Sequence, residues 1–151
     1  MSKRVRAKKS ATVEEIMSRK VVSVDADASA QKAAEIMAKK NVSSVMLKDG
    51  DRIVGILTER DLARNVCAKD GLASKTPAVS IMSTPVQAVS KNAPVGRAAS
   101  MMAEHRLRHL AVEGDYQEII GVVTTTDLAR YLRKKLGVTG ADLEIVEALY
   151  A

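Results

Sequence analysis

At 151 residues and 46% hydrophobic content, the chain can bury one modest core or two small fused ones. Its apolar residues are nearly all Val, Ile, Leu, Met and Ala, with three Tyr and no Phe or Trp. The core is therefore aliphatic and partly methionine-filled, and stacking platforms for single-stranded nucleic acid are scarce.

The net charge of +6 is local, because Lys3, Arg4, Arg6, Lys8 and Lys9 precede residue 10 and the remainder holds 19 basic against 18 acidic residues. Residues 1–11 read as a disordered, solvated arm, with nucleic-acid contact as the less favoured alternative. Cys67 is the sole cysteine, which excludes an intramolecular disulfide framework and a cysteine-rich zinc site and suits a reducing cytoplasm. No apolar run nears the roughly 18 residues that span a bilayer, and the basic start lacks the apolar stretch of a signal peptide. A cytoplasmic, soluble protein is expected.

Along the chain, a short strand over residues 21–24 leads through Asp25-Ala26-Asp27-Ala28-Ser29, rich in cap formers, into a helix. Ala33, Ile36 and Met37 keep helical spacing there. Strands over 44–47 and 53–57 flank Lys48-Asp49-Gly50-Asp51, a hairpin turn, and Thr58 opens a helix containing Leu62 and Val66. Residues 67–78, with Gly71, Ser74, Thr76 and Pro77, form a linker. The pattern then recurs with a strand over 86–89, a helix whose first turn suits Pro94, strands over 109–112 and 119–123, and a helix over 125–136. Gly137 stops that helix, and residues 137–151 add a short amphipathic helix whose Leu143, Val146 and Leu149 would dock on the body or on a partner.

This recurrence is a sequence repeat. Ile16-Met17-Ser18, Val21 and Val24 match Ile81-Met82-Ser83, Val86 and Val89 at an offset of 65, and Ala33, Ala34, Met37 and Ala38 match Ala98, Ala99, Met102 and Ala103. After one extra residue near Gln117 the offset becomes 66, and Gly55 to Arg64 shares six of ten positions with Gly121 to Arg130. Two units, 12–66 and 79–136, each read as strand, helix, strand, strand, helix, an α+β class. Neither can bury both of its apolar faces alone, so they are expected to pack about a pseudo-two-fold axis, with a cleft beside one matched by a cleft beside the other.

In each unit Gly-x-x-Thr-x-x-Asp ends a strand and starts a helix. It brings a hydroxyl, unpaired backbone NH groups and a carboxylate within one turn, which suits a phosphate and a ribose diol. A single copy would read first as a helix cap with Thr58 or Thr124 as its acceptor. Two matched copies favour ligand chemistry.

The motifs Ile16-Met17-Ser18, Gly55 to Asp61, Ile81-Met82-Ser83, Arg108-His109-Leu110-Ala111-Val112 and Gly121 to Asp127 together resemble the paired cystathionine β-synthase (CBS) domain family over residues 13–136. The resemblance implies a regulatory module binding adenine-containing ligands in clefts between repeats, with AMP, ADP or ATP foremost and NAD(H) or S-adenosylmethionine open. It implies that Asp61 and Asp127 hold ribose, that Thr58 and Thr124 sit near phosphate, and that adenine lies against Val21, Val22, Val86 and Gln87. It also implies a homodimer built as a four-repeat disc, and a separate effector protein.

The copies differ at informative positions. Arg108 and His109 align with Ser43 and Ser44, and Arg60 aligns with Thr126, so the two clefts are expected to hold phosphate differently. Pro is common in the family where Ala111 stands. His105 and His109 fall on different elements without a third ligand, so no metal site is expected. No nucleophile with a base is evident, so no catalysis is expected. A dimerisation adaptor without ligand is the remaining alternative.

Overall fold

Two hairpins form the frame, and their turns explain their shapes. A computed structural model of the chain describes residues 10–137 and 139–148. The basic stretch before Ser10 and Leu149 lie outside the described residues, as do the side chains of Leu143 and Val146. In the first hairpin, β2 (Ser44–Asp49) turns into β3 (Arg52–Thr58) through Gly50 at φ 59°, a left-handed conformation that glycine adopts at little cost. In the second, β5 (His109–Glu113) and β6 (Ile119–Thr124) are joined by a longer loop in which Gln117 takes φ 64°, the site of the extra residue. Both hairpins shift register at matching points, between Leu47 and Lys48 and between Val112 and Glu113.

A third strand pairs in parallel with each hairpin's first strand. These are β1 (Ser23–Asp25) against β2 and β4 (Ala88–Ser90) against β5, giving two separate three-stranded sheets. Both start two residues later than the alternation of apolar residues predicts. Val22 and Gln87 contribute only a carbonyl each, accepting from Met46 at 2.9 Å and from Ala111 at 3.0 Å, which leaves Val21, Val22 and Val86 ahead of the strands.

Helix α1 (Ala30–Lys40) follows β1, capped by the Ser29 hydroxyl, which accepts from the Lys32 NH at 3.1 Å. Helix α3 (Val95–His105) follows β4, and Pro94 is its cap residue, one position outside the first turn expected for it. Both helices end on a left-handed residue, Asn41 at φ 52° and Arg106 at φ 53°. The β3 and β6 strands run directly into α2 (Glu59–Asn65) and α4 (Thr125–Leu136), and α5 (Ala141–Ala148) packs on α4. The strand-helix-strand-strand-helix order holds in both repeats.

The repeats complete each other by exchanging their leading segments. Val13, fully buried, packs with Val89, Ala98, Met102, Leu110, Val112 and Val123 in the second repeat's core. Ala78, also fully buried, packs with Val24, Ala33, Met37, Val45, Leu47 and Leu57 in the first repeat's core. Burying a valine such as Val13 contributes on the order of 1.5–3 kcal/mol. Each segment is then pinned by paired backbone bonds: Ser18 exchanges them with Val122 at 2.8 and 2.9 Å, and Ser83 with Ile56 at 2.8 and 3.1 Å.

This crossing accounts for the glycine of Gly-x-x-Thr-x-x-Asp. A Cβ on Gly121 would lie 2.7 Å from the Ser18 carbonyl, and one on Gly55 would lie 3.1 Å from the Ser83 carbonyl. The glycine serves the approach of a neighbouring backbone. Between the sheets a third core, Met46, Ile56 and Ala111 with Val21 and Val86 against it, joins the halves.

Candidate functional site

Thr58 and Thr124 close identical capping boxes. The Asp61 Oδ2 accepts from the Thr58 NH and hydroxyl, both at 2.8 Å, and the Thr58 hydroxyl accepts in turn from the Asp61 NH at 3.3 Å. At Asp127 the corresponding distances are 2.8, 2.9 and 3.3 Å. The cap reading of the motif is therefore correct in both copies, and it fixes each carboxylate at the mouth of a helix.

The second carboxylate oxygens differ. Asp127 Oδ1 accepts from Arg130 at 3.1 Å, whereas Asp61 Oδ1 has no hydrogen-bond partner among the described residues. Arg64 stands three residues after Asp61 as Arg130 stands after Asp127, yet Arg64 lines a groove instead of closing on its carboxylate.

That groove has a volume of about 770 Å³ and runs between α2, the start of α4 and the turn before β5. A nucleotide fits within such a volume. Its lining includes Thr58, Arg60, Asp61, Gln87, Arg108, His109, Thr124 and Thr126 from the sequence-derived set. It also includes Ser43, Glu59, Arg64, Ser83, Pro85 and Arg106, which sequence reading did not select. Four guanidinium groups, Arg60, Arg64, Arg106 and Arg108, thus face Glu59 and Asp61, and the groove carries a positive excess. Arg60 and Arg64 sit four apart on α2, a spacing that puts both on one helix face and could have flagged Arg64. Arg106 owes its place to the left-handed end of α3, which no local pattern announces.

His109 joins the two repeats at the floor of this groove. Its Nε2 shares a 2.7 Å hydrogen bond with the Ser43 hydroxyl. Burial, then Arg108 and Arg60, push its pKa below the usual imidazole value, while Asp127 and Asp61 oppose them. The charged form of the imidazole is thereby disfavoured, and the cations that line the groove are its arginines.

Other expected residues lie elsewhere. Val21 and Val86 line a wider hollow of about 940 Å³ on the far edge of the sheets and abut the inter-sheet core. Val22 packs against the first repeat's core, and Ser44 begins β2 opposite Thr58. Asp127 lines a separate hollow of about 500 Å³ with Arg130, Tyr131 and Lys134. Arg60, assigned to one half, and Arg108-His109, assigned to the other, line one groove, while Asp127 lines another hollow. The exchanged segments are the cause, since they bring Ser83 and Gln87 of the second repeat against the motif of the first.

Two β-α-β-β-α units that fill each other's cores and present matched capped turns define a tandem-repeat α+β module. The chain belongs to the CBS domain family, whose profile matches residues 13–68 and 78–134. It is a CBS pair, a regulatory type of module.

Among solved structures, a CBS-domain protein from Burkholderia ambifaria shares 30% identity at a TM-score of 0.80, covering 85% of this chain and 98% of its own. The CBS-domain pair of protein MJ0100, in complex with 5′-methylthioadenosine and S-adenosyl-L-methionine, shares 26% identity at a TM-score of 0.76, covering 84% and 99%. Hypoxic Response Protein I of Mycobacterium tuberculosis, solved with two coordinated zinc ions, shares 26% identity at a TM-score of 0.69, covering 81% and 99%. Among the described residues of the present chain, no three His, Cys, Asp or Glu side chains gather as a metal site, and no helix is long and apolar enough to cross a membrane.

Proposed function

We propose that the chain is an adenine-nucleotide sensor whose cationic groove binds the phosphates and whose Asp61 binds the ribose, passing its state to a partner protein. The observation that carries this reading is the Asp61 carboxylate, held rigidly by its cap through Oδ2 and open at Oδ1, at one end of a groove containing four arginines. An open carboxylate oxygen accepts a ribose hydroxyl, and guanidinium groups bind phosphate through paired NH donors. The adenine would lie by Gln87, with Thr58, Thr124, Thr126 and His109 around the phosphates.

The charge of the groove also ranks the ligands. A polyphosphate gains from four arginines, while the sulfonium of S-adenosylmethionine is repelled by them, so ATP or ADP is favoured over the ligands seen in the MJ0100 pair. Val21, Val22, Ser44 and Val86 are left to packing in this account. The sensor works as a binding protein without catalysis and pairs as a homodimer in the cytoplasm. The effector protein would read a ligand-dependent shift in population.

Differential scanning of the full chain tests this directly. ATP is expected to raise the melting temperature, ADP and AMP to raise it less, and S-adenosylmethionine least. Absence of a shift with any adenosine ligand at millimolar concentration would refute the sensor reading. Sedimentation as a monomer at micromolar concentration would refute the dimer.

A further inference from the structure

The hollow of about 940 Å³ on the far edge of the sheets is lined by equivalent positions of the two repeats. Val21 answers Val86 and Ile53 answers Ile119, and all four pack on the inter-sheet core as an apolar floor. The equivalence is structural as well as sequential, since Lys48 pairs with Ile53 across the first hairpin as Glu113 pairs with Ile119 across the second. The internal pseudo-two-fold therefore passes through this hollow.

On its rims the equivalent charges are opposite in sign. Lys48 stands where the second repeat has Glu113, and Arg52 where it has Glu118. One rim carries these two cations with Asp51 beside them, and the other carries the two carboxylates. No ion pair joins the rims among the described residues. Arg52 has a 4.0 Å contact with exposed Asp49, and the Lys91 ammonium near the acidic rim is held by Asp115 at 2.6 Å. Glu118 accepts from the Tyr116 NH at 2.8 Å, which braces the loop at that end. The hairpin tips differ in bulk as well. The first turns through Gly50, with nothing within 4 Å of where a Cβ would stand, whereas the second presents Tyr116, 91% exposed.

We infer that this hollow docks a second copy of the chain. A two-fold axis running between the rims, perpendicular to the internal one, sets the basic rim of each copy on the acidic rim of the other. The same operation brings each Tyr116 to the other copy's first hairpin turn, where Gly50 leaves room and Lys48 and Arg52 meet the ring. The apolar floors close over one another. A phosphate-bearing ligand is a poorer occupant, because Glu113 and Glu118 repel it. The inference does not depend on what the arginine groove binds.

Sedimentation velocity of the full chain at low and high salt tests the docking face. Lys48→Glu with Arg52→Glu makes both rims acidic, and Glu113→Lys with Glu118→Lys makes both basic. Each double variant alone is expected to sediment as a smaller species than the parent, and an equimolar mixture of the two is expected to regain the parent's size. Tyr116→Ser leaves the rims intact and is expected to weaken association about 2- to 30-fold, the worth of a cation against a ring. Raising salt is expected to weaken the parent's association. A fall from a larger species to a dimer would make the hollow a second face, and a fall from dimer to monomer would make it the homodimer's own. The docking face is overturned if the parent sediments no larger than the double variants, if their mixture stays at the size of its components, or if Tyr116→Ser associates as tightly as the parent.

Discussion

The two repeats carry the same Asp-Leu-Ala-Arg string, at Asp61 to Arg64 and at Asp127 to Arg130, and use it differently. In the second repeat the arginine folds back on the carboxylate and occupies its free oxygen. In the first it faces the groove, leaving the oxygen open. Identical local sequence thus yields one preloaded acid and one available acid, because the surroundings differ: Arg130 stands over the hollow by Ala11, while Arg64 faces the shared groove with Arg60. Duplication supplies two equivalent turns, and packing makes them unequal.

The largest effects should come from breaking the exchange of segments that sets up this inequality. Gly121→Ala would press a Cβ against the Ser18 carbonyl, a backbone atom that cannot yield without moving the segment, and should cost about 1–3 kcal/mol in urea denaturation. Gly55→Ala meets mainly the flexible Met82 side chain and should cost less, about 1 kcal/mol. Equal losses would show that the two crossings are equivalent.

Next come the carboxylates. Asp61→Asn keeps an acceptor for the cap but removes the charge that receives the ribose hydroxyl. It should weaken ATP binding about 10- to 150-fold, the worth of a hydrogen bond to a charged group. Asp127→Asn should change ATP binding only slightly, since its charge is already spent on Arg130.

The Arg130–Asp127 pair itself is worth little, its arginine being 61% exposed. Arg130→Ala should raise the affinity of any second ATP by about 1.5- to 5-fold, measured by calorimetry. A loss of affinity would assign Arg130 to phosphate instead.

The smallest effect concerns pH. Bound phosphate favours the charged form of His109, whose pKa is depressed in the free protein, so binding takes up a proton and affinity should rise as pH falls below about 6.5. Protonation of the nucleotide acts in the opposite sense and is common to both proteins. The difference between the parent and His109→Gln therefore isolates the imidazole.

Most of the fold was legible in the sequence because a repeat doubles every weak local signal. The hairpin turns, the capped helices and the extra residue near Gln117 each follow from residue chemistry within a few positions. The exchange of leading segments was not legible. Ile16-Met17-Ser18 and Ile81-Met82-Ser83 mark the repeat, but nothing local says against which core each segment packs. The same blindness governs the site. Thr58 and Asp61 were found from one motif, and Arg60 and Arg108-His109 from differences between copies. That these meet in one groove depends on long-range packing, as do the absence of Val22 and the presence of Arg106. The reason for the motif's glycine was not legible either, since its place is set by the crossing backbone.

Calorimetric titration of ATP into the parent, Asp61→Asn and Asp127→Asn tests the inequality of the repeats most directly. The account predicts that the tighter phase disappears in Asp61→Asn and survives in Asp127→Asn. Equal loss in both variants, or loss only in Asp127→Asn, would contradict it.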